Sequence, residues 1–118
     1  MKHSPEFLAL ADAARKRIKE ASPEEVKQLA AKGAVVIDVR DAHEFAAGHI
    51  EGAINVSRGT LEMRISEIVP DKDASVVCYC SGGNRGALAT DTLQQMGYKN
   101  AVSICGGLNA FQGKDKKS

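Results

Sequence analysis

No stretch of this chain approaches the ~20 consecutive apolar residues that a helix needs to cross a bilayer, so no membrane-spanning helix and no membrane partner is expected. The amino end lacks a continuous apolar core and a small-residue cleavage site, and no secretory leader is expected there. A surplus of one charge is also missing: 16 Lys and Arg stand against 15 Asp and Glu. Without a global basic field, nucleic acid is not an expected partner. The cysteines number three, an odd count, and Cys78 and Cys80 lie too close along one strand for an easy bridge. Reduced thiols in a cytoplasmic setting are therefore the expectation. His43 and His49 lack a partner at i+4 and no Cys–His cluster forms, so neither zinc nor any other metal or cofactor is expected. There is no internal repeat, low-complexity segment or interdomain linker, and 118 residues suit one domain with a single core.

What is present is an alternation of helical and strand patterns. Ser4-Pro5-Glu6 reads as a cap followed by proline at the first helical position. Phe7, Leu8, Leu10, Ala11, Ala14 and Ile18 then recur at helical spacing as far as Ala21. This stretch, residues 1–21, reads as a helical extension ahead of the main domain at 22–113. Ser22-Pro23-Glu24-Glu25 starts a second helix with a capping box, carries Val26, Leu29 and Ala30 inward and stops near Gly33. The near-continuous apolar run Ala34–Val39 suits a parallel strand buried on both faces. A short helix over 42–47, a strand over 53–56, a helix over 60–68 and a turn at 70–73 follow. Strand 75–79, helix 86–96, strand 101–104 and a last short helix opened by Gly106-Gly107 complete the pattern. Residues 114–118 read as a basic, solvated tail. Strands alternating with helices imply an α/β sandwich on a mostly parallel sheet, and in such sheets sites form beyond the carboxyl ends of the strands.

The segment Val76-Val77-Cys78-Tyr79-Cys80-Ser81-Gly82-Gly83-Asn84-Arg85-Gly86 lies at such an end. A β-branched strand delivers Cys80, glycines let the backbone curl round the sulfur, and Arg85 stands where a helix begins. Backbone N–H groups at a helix N-terminus, together with a nearby cation, favour the thiolate over the thiol. Cys80 is the candidate nucleophile. The bland alternative is an inert buried cysteine ahead of an ordinary turn.

The six residues Cys80-Ser81-Gly82-Gly83-Asn84-Arg85 resemble the active-site loop of rhodanese (thiosulfate sulfurtransferase) domains. Two other segments carry the same likeness. Asp38-Val39-Arg40 through Glu44-Phe45 and Gly48-His49-Ile50 to Gly52-Ala53-Ile54-Asn55 resembles the amino-terminal signature of that family, and Cys105-Gly106-Gly107-Leu108-Asn109-Ala110-Phe111 resembles its carboxyl-terminal one. The resemblance implies a three-layer sandwich around a mostly parallel five-stranded sheet. It implies a single-domain sulfurtransferase: Cys80 takes a sulfane sulfur from thiosulfate or a polysulfide as a persulfide and passes it to cyanide or a thiol. Small sulfur donors, thiol acceptors and a thioredoxin-like protein thiol are the implied partners, with Ser81, Gly82, Gly83, Asn84, Arg85 and Gly86 as the loop that holds the sulfur. Arg85 is read either as a binder of donor oxyanions or as a brace bonding a carboxylate, and Arg40 as a residue at the mouth of the site. Glycine at 86 stands where many family members have a hydroxyl side chain, and the loop has no second cation. Cys78 reads as a small buried hydrophobe. Cys105 is read either as a residue packed before a glycine turn or as a resolving thiol. Two alternatives stay open: a non-catalytic relay or interaction module, and a phosphatase or arsenate reductase. The phosphatases resembling this architecture carry five residues, not four, between cysteine and arginine.

Overall fold

The computed structural model describes residues 3–113, and the expected basic tail lies outside them. Ser4 caps helix α1 (Pro5–Arg17), its hydroxyl accepting from the Phe7 N–H at 3.1 Å. The helix ends four residues earlier than its apolar spacing predicts, because Ile18 is extended (φ −115°, ψ 173°). Glu20–Ala21, expected as helix, instead forms strand β1. Helix α2 (Pro23–Ala31) begins with the expected capping box: Glu25 N–H donates to Ser22 Oγ at 3.1 Å and Ser22 N–H to Glu25 Oε1 at 2.8 Å. The chain continues through β2 (Val35–Asp38), α3 (Ala42–Ala47) and β3 (Ile54–Asn55). A 3-10 turn at Arg58–Thr60 leads into α4 (Leu61–Ile68), followed by β4 (Val76–Tyr79), α5 (Asn84–Gln95), β5 (Ala101–Ile104) and α6 (Gly107–Phe111).

The five strands form one sheet in the order β1-β5-β4-β2-β3, parallel at every pairing. Successive side chains of a strand point to opposite faces, and β4 shows what that does here. Val76 and Cys78, with Cys80 beyond the strand's end, join Leu61, Ile65, Ala89 and Leu93 in the core under α4 and α5. Val77 and Tyr79 join Val26, Ile104 and Leu108 in the core under α2 and α6. Helices on both faces of a parallel sheet give the three-layer sandwich and bury β4 completely.

Helix α1 adds a further contact. It packs on α5, and its buried residues are Ala11 and Ala14, small enough to let two helices lie close. Arg17 clamps the pair by donating from Nε and Nη2 to Asp91 at 3.0 and 2.7 Å.

Candidate active site

β4 ends at Tyr79, and Cys80 is the next residue, at the carboxyl edge of the sheet and 2% exposed. Gly83 follows in the left-handed region (φ 110°) and caps α5, a conformation that glycine adopts without the steric penalty other residues meet. This curl aims two amides at the sulfur: Gly83 N–H at 3.1 Å and Gly86 N–H at 3.2 Å from Cys80 Sγ. Of the amides expected from Ser81 to Gly86, these two make the contact. An anionic sulfur at this spot also lies at the N-terminus of a 12-residue helix, whose dipole favours negative charge.

Helix α6 holds the other side of the loop. Leu108 N–H donates to Cys80 O at 2.8 Å and Asn109 N–H to Ser81 O at 3.0 Å. Gly107 makes this close approach possible: a Cβ there would lie 2.5 Å from Ser81 O and 2.6 Å from Cys80 O. The Gly106-Gly107 pair, which the sequence presents within the segment resembling the family's carboxyl-terminal signature, thereby packs directly on the cysteine loop.

Arg85 braces the loop. Its Nη1 and Nη2 donate to Glu44 Oε1 and Oε2 at 3.1 and 3.2 Å, a two-point pairing that fixes orientation as well as charge. The Arg85 bond holds the Glu44 carboxyl down at about 2, with the Asp41 amide adding to the effect at 3.0 Å. Of the two readings of Arg85, the carboxylate brace is the one this geometry displays. Glu44 accepts from the Asp41 amide at the start of α3 and also reaches across to the cysteine loop.

Arg40 is almost fully buried, and its Nε and Nη2 donate to Asp38 at 3.0 and 2.7 Å and Nη2 also to Gly48 O at 2.7 Å. It lines a cavity of about 200 Å³ with Glu44, Gly48, Ser81, Leu108 and Asn109. A larger hollow of about 340 Å³ lies at the amino ends of β4 and β5, lined by Lys19, Leu29, Lys32, Ser75 and Asn100. It is at the opposite edge of the sheet from Cys80, and the smaller cavity is the one that a residue of the cysteine loop, Ser81, lines.

Cys78 is fully buried, and desolvation pushes its thiol up to about 12, consistent with a packed, inert role. Cys105 is exposed rather than packed, at the end of β5. Gly86 departs from the simple loss of a hydroxyl. A Cβ there would lie 3.1 Å from Ser103 Oγ, 3.2 Å from Tyr79 Cα and 3.3 Å from Cys80 N, so the hydroxyl of β5's Ser103 fills the space that a residue-86 side chain would enter. His43 and His49 are both exposed, and the His49 ring stacks on Phe45 at 3.7 Å. Among the described residues no group of three or more His, Cys, Asp and Glu gathers as a metal site.

A second guanidinium reaches the loop, one that sequence reasoning missed. Arg15 of α1 donates from Nη2 to Asn84 Oδ1 at 2.6 Å. The contact joins residues 69 apart, and nothing in the local pattern of either segment announces it.

A sulfur-holding loop between a parallel strand and a helix, closed by a glycine pair, matches a known design. The family model for the rhodanese-like domain covers residues 22–114. The chain belongs to the rhodanese-like domain family. Among the relatives of this rhodanese-like chain is the thiosulfate sulfurtransferase GlpE of Pseudomonas entomophila, 38% identical over 94 residues, 80% of this chain and 84% of the relative. The thiosulfate sulfurtransferase PspE of Escherichia coli is 39% identical over 72 residues, 61% of this chain and 68% of the relative. A solved structure from Rhodopseudomonas palustris, a protein of unknown function described as a possible tyrosine phosphatase, superposes with a TM-score of 0.83 at 30% identity, covering 99% of this chain and 96% of the other. The human single-domain sulfurtransferase TSTD1 superposes at 0.72 with 29% identity, covering 82% and 97%.

Proposed function

We propose that this rhodanese-like chain is a thiosulfate or persulfide sulfurtransferase with Cys80 as its sulfur carrier. The observation that carries the reading is the pair of N–H groups from Gly83 and Gly86 on Cys80 Sγ. The thiolate attacks the outer sulfur of thiosulfate, a sulfur–sulfur bond forms to Cys80, and the bond to the sulfonate sulfur breaks with its electron pair leaving as sulfite. The product is a Cys80 persulfide anion. The same two amides that hold the thiolate stabilise that anion, as preorganised donors do for charge in a transition state. An acceptor thiolate or cyanide then attacks the outer sulfur and regenerates the Cys80 thiolate. Small thiols and the exposed thiol of a thioredoxin-like protein are the acceptors we expect, with Arg40 at the mouth of the site.

A phosphatase reading is suggested by the description of the Rhodopseudomonas palustris structure. Two features of this chain favour sulfur transfer instead. The loop has four residues between Cys80 and Arg85, a bowl narrower than the five-residue spacing of cysteine-dependent phosphatases. The Arg85 guanidinium, the cation that a phosphoryl group would need, is engaged by Glu44, whereas a polysulfide or persulfide donor has no oxyanion and makes no such demand.

Intact-protein mass spectrometry after incubation with thiosulfate or polysulfide is the test. The protein should gain the mass of one sulfur atom, cyanide should remove it, and Cys80→Ser should abolish the gain while Cys78→Ala and Cys105→Ser retain it. An unchanged mass with every donor overturns the reading, and aryl phosphate hydrolysis lost in Cys80→Ser would replace it.

A further inference from the structure

The cysteine loop is pinned on one side by α6, through Cys80 O and Ser81 O. Between that pin and helix α5 lie Gly82 and Gly83. Gly82 is exposed, a Cβ on it would have nothing within 4 Å, and Gly83 has positive φ. Two successive glycines carry the largest backbone freedom a chain can have, and Gly83 supplies one of the two donors on the sulfur. Such a hinge needs a second pin to hold its amide on target. Asn84, the first residue of α5, is the next residue along, and its Oδ1 accepts from Arg15 Nη2 at 2.6 Å. The same nitrogen lies 3.5 Å from the place a Cβ on Gly83 would take.

Arg15 is itself fixed. Its Nη1 donates to Asp12 Oδ1 at 2.9 Å and its Nε stands 3.4 Å from Glu20 Oε2, with the side chain 27% exposed. The two carboxylates orient the guanidinium and offset most of its charge, so its influence on the sulfur is geometric rather than a matter of field. Arg15 lies outside residues 22–114 that the family model matches, and it comes from a helix anchored on α5 by the Arg17–Asp91 pair.

We propose that Arg15 is a positioning residue for Cys80, acting through Asn84 to hold the Gly83 amide on the sulfur. The inference rests on Cys80 being the sulfur carrier, but its test does not depend on any sulfur donor. In the full chain, the alkylation rate of Cys80 by iodoacetamide is measured across pH for the parent, Arg15→Gln, Asn84→Ala, the double variant and Arg17→Gln, in a background with Cys78 and Cys105 replaced by Ala and Ser. Persulfide loading from thiosulfate and thermal midpoints are measured alongside. Arg15→Gln should slow alkylation and loading about tenfold, roughly the worth of one good hydrogen bond to a charged group, and move the alkylation profile to higher pH. Because Arg15 works through Asn84, the double variant should be no slower than Asn84→Ala alone, a non-additivity that independent sites do not show. Arg17→Gln should lower the thermal midpoint and leave alkylation close to the parent. Additive losses, an Arg15→Gln rate within twofold of the parent, or equal slowing in Arg15→Gln and Arg17→Gln would each overturn the proposal. If no variant or parent loads sulfur while the alkylation pattern holds, the sulfurtransferase reading fails and the positioning role of Arg15 stands.

Discussion

Gly107 and Gly86 are the positions where an added methyl group would press hardest on the site's backbone. At Gly107 (φ +64°) a Cβ would stand 2.5 Å from one loop carbonyl oxygen and 2.6 Å from another. Both oxygens are held by amides of the same helix, so relieving the clash means moving the loop against its own hydrogen bonds. Gly107→Ala is expected to destabilise by at least the ~1–3 kcal/mol typical of overpacking, with Cys80 alkylation slowed as the loop shifts; urea unfolding that matches the parent would show that the two segments are not in contact. Gly86 is a milder case, with contacts of 3.1 to 3.3 Å. The nearest is Ser103 Oγ, which is buried and without a hydrogen-bond partner among the described residues. Leaving a buried hydroxyl unpaired costs roughly 1–3 kcal/mol, so Ser103→Ala should be neutral to stabilising despite lying in the core. Gly86→Ser should destabilise alone and lose less when combined with Ser103→Ala, because the space it needs has been vacated. A Ser103→Ala variant that loses more than about 1 kcal/mol in urea melts would mean the hydroxyl has a partner in solution.

At the level of elements, what the sequence made legible follows from periodicity and capping. The Ser22/Glu25 box, the apolar run at 34–39, the alternation that sends Cys78 and Cys80 to one face, and the strand at 101–104 are all local signals, and each announces an element that the fold contains, β2 being one residue shorter than its run at either end. The placement of Cys80, Gly83 and Arg85 round a strand-to-helix turn was legible for the same reason. Strand β1 was not, because two residues carry no period and its existence depends on pairing with β5, with Ser103 N–H on Lys19 O and Cys105 N–H on Ala21 O. The Glu44–Arg85 pair carries no local signal either, since its partners lie 41 residues apart. Residues 80–86 carry no cation beside Arg85, yet the folded loop meets a second one, because α1 packs back onto α5. Local pattern specifies the elements; the site's supporting contacts arise where elements distant in sequence are brought together by the shared core.

The ionisable groups that these contacts hold give the whole molecule a stability window with two limbs of known sign. Glu44 is depressed from the usual 4.5 to about 2, chiefly by its bond from Arg85, and Asp91 is lowered from 3.8, chiefly by its bond from Arg17. A carboxylate whose folded value lies below its unfolded one adds stability that is complete above the unfolded value and fades as pH falls through the folded one. The acid limb should therefore begin near pH 4.5, run steepest between there and 2, and level off as pH falls past 2. Cys78 and Tyr79 act at the other end: burial raises both, Cys78 from 9.0 to about 12. The folded chain keeps these protons longer than the unfolded one does, so their contribution is complete below pH 9 and is lost as pH climbs toward 12. Urea midpoints taken from pH 2 to 11 should trace a plateau between the limbs. Glu44→Gln should lower the plateau and flatten the acid limb, and Asp91→Asn should do the same for the part of the limb that begins near pH 3.8. Cys78→Ala should lower the plateau through the small cavity it leaves while making the alkaline limb shallower. Acid limbs of equal slope in the parent and in Glu44→Gln would mean that Arg85 does not hold the carboxylate in solution, and the loop would then depend on α6 and Arg15 alone.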